Sequence, residues 1–232
     1  MNDRSLVMLV HGEPGVGKSW LGDTAPAPRL ILDAEGGSRF TPSEKVYWDP
    51  MRENPPTGHQ AVVVLVRQYD VLLRVYQWLN SGQHEFRSVI LDSLTEIQKR
   101  CMDNITGVNA ATQQDWGTLL RHMEGLIRQF RDLTFHPTRP IEVVLFNTTT
   151  SEIQGQKRPN VQGQLKLSLP AFVDVVGYMY VANVNGEAQR LLMTVPYPGF
   201  TAKDRTNRLA EAIADPNIER MLEDIYGPSN VG

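Results

Sequence analysis

The sequence predicts an α/β protein built on a mostly parallel central sheet that is flanked by helices. Two observations support this fold class: the chain contains short apolar runs of strand length, and these runs alternate with segments that carry apolar residues at helical spacing. Such alternation favours parallel strands that are joined by helices and bind ligands at their carboxyl ends. The chain has 232 residues, of which 41% are hydrophobic, so it can bury one substantial core, and we expect a single domain, residues 1–232.

The predicted strands and helices follow one another in a regular order. Leu6–Val10 is an apolar strand, and the glycines after it lead into a helix that begins at Lys18. Arg29–Asp33 is a second strand, and it ends before paired glycines. Residues 41–60 are rich in Pro, Gly and polar groups, which predicts a connecting loop. A third strand, a helix, a fourth strand, two helices and a fifth strand are then predicted at residues 61–66, 68–80, 88–92, 93–104, 115–133 and 141–147.

The last part of the chain predicts a β-hairpin and a final helix. Residues 173–182 and 190–195 have strand character, and the turn between them lies near Asn185-Gly186. The final helix spans about residues 216–226. A cap, a first-turn proline and a terminal glycine mark its ends, namely Asp215, Pro216 and Gly227.

The composition excludes several classes of protein. A single cysteine, Cys101, excludes a disulfide framework and indicates a reducing compartment. No apolar stretch approaches the roughly 18 residues needed to cross a bilayer, so we expect no membrane association and a cytoplasmic location. The net charge of −3 does not exclude DNA binding, which needs only a local basic track. The histidines show no spacing typical of a zinc site; they are His11, His59, His84, His122 and His136.

Residues Gly12–Ser19 match the phosphate-binding motif G-x-x-x-x-G-K-S. The loop follows an apolar strand and opens a helix, so its backbone N–H groups would face phosphates. Lys18 would reach the β- and γ-phosphate oxygens, and Ser19 would ligate Mg²⁺. We therefore predict that the chain binds ATP with Mg²⁺, the alternative being a tight glycine-rich turn. The predicted nucleotide-binding residues are Gly12, Glu13, Pro14, Gly15, Val16, Gly17, Lys18, Ser19 and Trp20.

A second carboxylate and a catalytic base complete the predicted site. Asp92 ends the fourth strand, where it can hold Mg²⁺ directly or through water. Many AAA-type ATPases place Glu directly after this Asp, but this chain has Ser93 there. The base that orients the attacking water must then come from elsewhere. Glu35 is the best candidate because it follows the second strand at the same sheet edge; Glu96 is a weaker competitor, and a solvated loop carboxylate is the alternative.

At this point the chain resembles the RecA-like ATPases. Leu32–Arg39 is similar to the family's Asp-Ala/Thr-Glu-Gly segment, in which the glutamate activates water, and this implies that role for Glu35. The Asp-Ser after the fourth strand resembles the family's second motif. Val144–Thr148 resembles the strand that ends in the family's Asn-Gln sensor of the γ-phosphate. This chain has Asn147 and Thr148 at those positions, so the sensor glutamine is replaced.

The resemblance covers most of residues 5–208 and extends to Lys203 and Arg205. These two cations are similar to the Lys-x-Arg element that RadA- and KaiC-like relatives place near a neighbouring subunit's nucleotide. The resemblance thus implies a homo-oligomer, a ring or a filament, with ATP at the subunit interfaces. A solvated turn is the alternative for these residues.

A narrower resemblance is to the small phage-encoded single-strand annealing ATPases of the Sak type. The shared phrases include Asp-Ala-Glu-Gly-Gly, Asp-Ser-Leu-Thr-Glu-Ile-Gln and Ala-Lys-Asp-Arg. This resemblance implies binding of single-stranded DNA, oligomerisation, and strand annealing or exchange in phage recombination within the bacterial cytoplasm. A single-strand-binding protein is a further candidate partner.

Residues 148–168 have almost no apolar periodicity, and a loop of this length is typical of a binding segment. Its basic side chains outnumber its one carboxylate, Glu152, which suits phosphate contacts. The loop has no aromatic residue for base stacking before Phe172. Residues 105–115 are where the family would place a second DNA loop. A solvated flexible loop is the alternative for 148–168. The predicted DNA-binding residues are Lys157, Arg158 and Lys166.

The leading hypothesis is a single-stranded-DNA-dependent ATPase, in which bound ATP orders residues 148–168 for DNA. The alternative is a nucleotide-dependent assembly or adaptor protein, such as a helicase loader or a clock-like switch, that acts on a protein partner. A small-molecule P-loop kinase ranks below both, because it needs a lid with several arginines and this loop has only Arg158.

Overall fold

The computed structural model describes residues 4–228, and it confirms the α/β fold with a large, mostly parallel sheet. The predicted domain also included residues 1–3 and 229–232, which lie outside the described residues. The strands are β1 Leu6–His11, β2 Arg29–Asp33, β3 Val46–Tyr47, β4 Ala61–Leu65, β5 Ser88–Asp92, β6 Val143–Thr148, β7 Thr150–Ile153, β8 Gln156–Pro159, β9 Val175–Val184, β10 Glu187–Met193, β11 Lys203–Asp204 and β12 Ala212–Ala214. The α-helices are α1 Lys18–Gly22, α2 Tyr69–Leu79, α3 Leu94–Thr106, α4 Gln113–Asp132, α5 Leu165–Phe172 and α6 Ile218–Tyr226, with 3₁₀ turns at Gly37–Phe40 and Leu133–Phe135.

The main sheet runs in the order β12-β10-β9-β1-β6-β5-β2-β4-β3, and β11 pairs with β9. The strands from β9 to β3 in this order are parallel, and β10, β11 and β12 are antiparallel to their neighbours. The carboxyl ends of β1, β6, β5 and β2 therefore meet at one edge of the sheet. The motifs that were predicted to share a site follow these four strands.

Both faces of the central strands are buried, which explains why they are apolar throughout rather than alternating. In β1, Leu6 and Met8 pack on the side of α6, with Met221 and Leu222. Val7 and Leu9 belong to the larger core on the opposite face, which α2, α3, α4 and α5 cover. Burying apolar surface on this scale contributes about 25 cal/mol per Å² and is the main force that holds the layers together. Within residues 4–228, no helix is both long and apolar enough to cross a membrane.

The late hairpin is confirmed: β9 and β10 turn at Asn185 and Gly186, whose φ angles are 55° and 92°. These positive values are those of the tight two-residue turns that favour Asn-Gly. The start of the final helix was predicted wrongly. Asn217, not Asp215, caps α6, because its side chain accepts a 3.1 Å hydrogen bond from the backbone N–H of Arg220.

The segment predicted as an irregular loop at 148–168 is more ordered than expected. It contains the two-stranded hairpin β7–β8 and the beginning of α5. Gln154 and Gly155 form the turn with φ angles of 54° and 72°. The hairpin forms a separate small sheet whose residues are mostly half-buried or exposed, so its strands have no apolar alternation to reveal them.

Candidate nucleotide site

The phosphate-binding loop leaves the carboxyl end of β1, between β6 and β9. Its glycines are needed for different reasons. A Cβ on Gly12 would lie 2.3 Å from the backbone oxygen of Met179, so a side chain there would clash with β9. Gly15 and Gly17 have φ angles of 83° and 106°, a region that side chains disfavour. The loop is therefore fixed by both close packing and backbone conformation.

Lys18 lies inside this loop and is 9% exposed. Its Nζ donates hydrogen bonds of 2.9 Å to the backbone oxygens of Gly12 and Glu13. Burial lowers the pKa of Lys18, and the nearby carboxylates of Asp92, Glu35 and Glu13 oppose that shift. A phosphate oxygen would be a stronger acceptor than either carbonyl. The ammonium group is thus held where an anionic ligand of the loop would meet it.

The two predicted Mg²⁺ ligands touch each other. Ser19 Oγ donates a 2.6 Å hydrogen bond to Asp92 Oδ2, and Asn147 Nδ2 donates to Asp92 Oδ1 at 3.2 Å. Burial raises the pKa of Asp92, while these two hydrogen bonds lower it. Adjacent ligands of octahedral Mg²⁺ lie about 2.9 Å apart, and Mg²⁺ prefers oxygen. The hydroxyl and carboxylate therefore fit Mg²⁺, with the remaining ligands expected from phosphates and water.

The end of β6 carries two buried polar atoms that have no hydrogen-bond partner among the described residues. They are Asn147 Oδ1 and Thr148 Oγ1. Buried polar atoms are normally paired, and an orphan of this kind is a common sign of a missing water or ligand. Both lie on the strand between β1 and β5, at the positions predicted to sense the γ-phosphate. The donor set fits a nucleotide with its metal and water.

Glu35 is brought to this same edge by a tightly hydrogen-bonded turn. The carboxylate of Asp33 accepts from the backbone N–H groups of Glu35 at 3.0 Å and Gly36 at 2.6 Å, which folds the chain back after β2. Ser93 Oγ donates to Glu35 Oε1. Glu35 is thus positioned by the residue next to Asp92. The competing candidate, Glu96, instead forms salt bridges on α3 with Lys99 and Arg100.

His11, which sequence reasoning treated only as one of the scattered histidines, is fully buried directly before the loop. Its Nε2 lies 2.7 Å from the backbone oxygen of Thr201, and its Nδ1 lies 3.0 Å from Thr150 Oγ1. A carbonyl only accepts, so Nε2 carries the proton and Nδ1 accepts from Thr150. Burial lowers the pKa of His11 to about 4; the hydrogen bond to Thr201 opposes this shift, and Lys18 adds to it. A neutral histidine therefore connects the phosphate-binding loop with β7 and with the segment after β10.

The structure places Lys203 and Arg205 away from the phosphate-binding loop of their own chain. Lys203 Nζ donates to the backbone oxygens of Pro170 and Val173, at the end of α5. Arg205 contacts Asp174 Oδ1 at 3.2 Å. Lys203 is on β11, which pairs with Val175 and Val176 at the start of β9, and Arg205 directly follows that strand. The phosphate-binding loop instead follows His11, which pairs with Tyr178 further along β9. Their predicted role toward a neighbouring subunit stays a prediction.

The remaining predicted residues lie on three elements. Lys157 and Arg158 are on β8, and Lys166 is in the first turn of α5. Trp20 follows Ser19 on α1 and is 47% exposed. The structure thus brings the loop together with the predicted metal ligands, the predicted sensor positions and the predicted base at one edge of the sheet, whereas the predicted DNA contacts lie on β8 and α5.

The chain is similar to one protein family and to several solved structures. A family model described as an AAA domain matches residues 4–206. None of the curated proteins compared with the chain matches it. Three solved structures are similar in fold at low identity. An ATPase from the type III secretion system of pathogenic bacteria is 12% identical with a TM-score of 0.47, over 76% of this chain and 52% of that protein, so the chain spans about half its length.

The second structure is a KaiC-like protein from Pyrococcus horikoshii, 12% identical with a TM-score of 0.42, over 81% of this chain and 77% of that one. The third is the flagellar accessory protein FlaH from Methanocaldococcus jannaschii, which is 10% identical with a TM-score of 0.41, over 90% of this chain and 84% of that one. The family match spans most of the chain, and it includes the loop with Lys18 and Ser19 and the strand that ends in Asp92. The chain belongs to the AAA-domain family and contains an AAA-type P-loop ATPase domain.

Proposed function

We propose that this ATPase hydrolyses ATP with Mg²⁺ in a RecA-like manner, binds single-stranded DNA, and promotes strand annealing or exchange of the phage recombination type. In this proposal it acts as a homo-oligomer with ATP at its subunit interfaces, and Lys203 and Arg205 act on the neighbouring nucleotide. The observation that carries the DNA part is a row of stacked aromatic side chains beside Lys157. We call it the aromatic row; its members are Tyr180, Tyr178, Phe200 and Tyr197.

The aromatic row leads from the hairpin β9–β10 out to the surface. Ring centroids are 5.5 Å apart for Tyr180 and Tyr178, 4.9 Å for Tyr178 and Phe200, and 5.6 Å for Phe200 and Tyr197, with interplanar angles of 14°, 25° and 20°. Tyr178 is buried, whereas Tyr197 is 63% exposed. Base stacking on such side chains contributes about 1–3 kcal/mol per base and tolerates any sequence. The row therefore offers the stacking surface that residues 148–168 lack.

The hairpin β7–β8 is attached to this row. Lys157 Nζ donates to Tyr178 Oη at 3.0 Å and lies 5.5 Å from the centre of that ring. The backbone of Lys157 also exchanges hydrogen bonds with Gly199 and Thr201, of 2.8 and 2.9 Å. A cation and an aromatic surface thus lie side by side, which is the combination that binds a phosphate backbone and its bases.

Two sets of contacts join this surface to the nucleotide site. One is His11, which contacts Thr150 and Thr201 as described above. The other begins on α3, next to Ser93, where Thr95 Oγ1 accepts from the backbone N–H of Thr149 at 3.0 Å and donates to the backbone oxygen of Asn160 at 3.1 Å. Both ends of the hairpin are therefore held by residues next to the site. These contacts support the coupling of ATP binding to DNA binding.

The alternative is a nucleotide-dependent assembly or adaptor protein that acts on a protein partner. One observation favours it. Trp116 is 45% exposed on α4 and lines an apolar groove of about 220 Å³ with Leu120 and Leu165. An exposed tryptophan beside such a groove suits a protein contact. In that case the chain would bind its partner without intrinsic affinity for DNA.

Fluorescence anisotropy with a labelled oligothymidylate at low salt tests the proposal. We expect Tyr197→Ala and Phe200→Ala to weaken binding roughly tenfold, because each removes a stacking partner. Tyr197→Phe keeps the ring and should bind like the wild type. Phe135→Ala, which removes an exposed aromatic elsewhere, is the matched control. If the wild-type chain does not bind in the presence of Mg²⁺ and a non-hydrolysable ATP analogue, the DNA part is wrong and the adaptor becomes the better account.

A further inference from the structure

The opposite face of the hairpin β9–β10 lies against the phosphate-binding loop. Side chains alternate along a strand, so Met179 and Val181 point away from the face that carries Tyr178 and Tyr180. Arg190 pairs with Val181 across the hairpin and shares its face. A Cβ on Gly17 would lie 2.8 Å from Arg190 Nε and 3.0 Å from its Cδ. The side chain of Arg190 therefore lies directly on the loop, in contact with the glycine before Lys18.

The guanidinium of Arg190 also lies over Trp20. Its Cζ is 5.5 Å from the centre of the indole ring. Within residues 4–228, this guanidinium has no hydrogen bond or ion pair to another protein group. Arg190 and Trp20 are both exposed. A guanidinium group and an aromatic ring thus meet at the edge of the phosphate-binding loop.

We propose that Arg190 and Trp20 form a further part of the nucleotide site, which binds the α-phosphate and the base of a purine nucleotide. Guanidinium groups match phosphate oxygens with two parallel hydrogen bonds and stay charged at all relevant pH values. Trp20 directly follows Ser19, and its ring lies beside the guanidinium that contacts Gly17. Aromatic faces of this kind stack on bases.

This inference rests on the nucleotide binding of the chain but not on its binding of DNA. The hairpin β9–β10 then serves two ligands, with the aromatic row on one face and Arg190 on the other. Trp20 was already among the predicted nucleotide-binding residues. Arg190 was not, because it is 170 residues away in sequence and belongs to no motif. Only the register of β9 with β10 places it on the loop.

Calorimetric titration of the full chain with Mg²⁺-ADP and with Mg²⁺-tripolyphosphate tests this proposal without DNA. Tripolyphosphate has three linked phosphates but no base. We expect Arg190→Gln to weaken the binding of both ligands about tenfold, since a charge-assisted contact is lost. Arg190→Lys keeps the charge, so its affinity for both ligands should lie between those of the wild type and Arg190→Gln. Trp20→Leu should weaken the binding of ADP about tenfold and leave the binding of tripolyphosphate unchanged. Trp20→Phe keeps an aromatic ring and should retain most of the affinity for ADP.

Arg74→Gln and Trp116→Phe are matched controls on other surfaces, and both should bind like the wild type. Melting temperatures show which variants are folded. If Arg190→Gln or Trp20→Leu is unfolded, the affinities of the conservative variants Arg190→Lys and Trp20→Phe are compared with that of the wild type instead. The role of Arg190 is overturned if Arg190→Gln binds ADP as tightly as the wild type. The stacking role is overturned if Trp20→Leu weakens both ligands equally, because the ring would then only support the loop. A wild-type chain that binds neither ligand would overturn nucleotide binding itself.

Discussion

Ser19 Oγ and Asp92 Oδ2 are joined by a 2.6 Å hydrogen bond, although 73 residues separate them in sequence. The contact spans three strands, because Ser19 follows β1, Asp92 ends β5, and β6 lies between. Asn147 on β6 donates to the other oxygen of the same carboxylate. The fold thus places the two predicted metal ligands within reach of one ion. The following predictions depend on this arrangement.

Lys18→Ala should abolish tight ATP binding. The ammonium lies inside the phosphate-binding loop, and a lost charge-assisted contact to phosphate at this centre should weaken affinity about 100-fold. Titration calorimetry with Mg²⁺-ATP measures the loss. Lys99→Ala, an exposed lysine on α3, is the control, and a Lys18→Ala chain that binds ATP normally would exclude the loop as the nucleotide site.

Glu35→Gln should bind ATP like the wild type but hydrolyse it roughly 10²–10⁴ times more slowly, because an amide cannot take a proton from water. It can still accept the hydrogen bond from Ser93, so the turn should keep its shape. Steady-state and single-turnover hydrolysis assays check this. The control is Glu96→Gln. Normal turnover in Glu35→Gln together with loss in Glu96→Gln would reverse the assignment of the base.

Lys203→Ala combined with Arg205→Ala should impair hydrolysis through the neighbouring subunit. Mixing this double variant with Lys18→Ala should restore activity. At some subunit interfaces the intact phosphate-binding loop of the double variant would then face the intact Lys203 and Arg205 of the Lys18→Ala subunit. Within one chain these cations contact the end of α5 and Asp174, so the melting temperature of the double variant must also be measured. Activity that fails to recover on mixing, in a folded protein, would show that the cations serve only their own chain.

Stability should fall as the pH is lowered from about 6.5 to about 4, partly because of His11. Its pKa of about 4 in the folded chain lies below the ordinary 6.5. In this range the unfolded chain therefore takes up a proton at His11 and the folded chain does not. The free energy of unfolding falls by on the order of 3 kcal/mol because of this one group. Denaturant unfolding at several pH values measures it. His11→Gln should reduce the slope without removing it, because burial also lowers the pKa of His84 to about 4. His59→Gln, at an exposed position, is the control.

Much of the fold followed from local pattern. Buried parallel strands are apolar along their length, so the strands that end at Asp33, Asp92 and Thr148 could be recognised one by one. The strand order was not encoded locally, but the carboxyl ends of parallel strands share one edge, which sufficed to group Ser19 with Asp92. The hairpin β7–β8 was missed because its strands have no apolar alternation.

The site was predictable where one residue type has one task, as for Lys18. It was not predictable where contacts depend on register or burial. His11 gained its role from hydrogen bonds to Thr150 and Thr201, which are distant in sequence. The aromatic row combines β9 with the segment after β10, so the sequence of residues 148–168 alone does not reveal it. Ser93, which departs from the Glu of many AAA-type ATPases, instead positions Glu35.

The central claim is that ATP hydrolysis and single-stranded DNA binding are coupled. Steady-state ATPase activity of the wild-type chain, measured with and without oligothymidylate at low salt, tests it most directly. We predict that the DNA stimulates turnover, and that Tyr197→Ala reduces this stimulation while leaving the basal rate unchanged. Equal rates with and without DNA, together with no shift of the oligonucleotide in a gel, would contradict the claim.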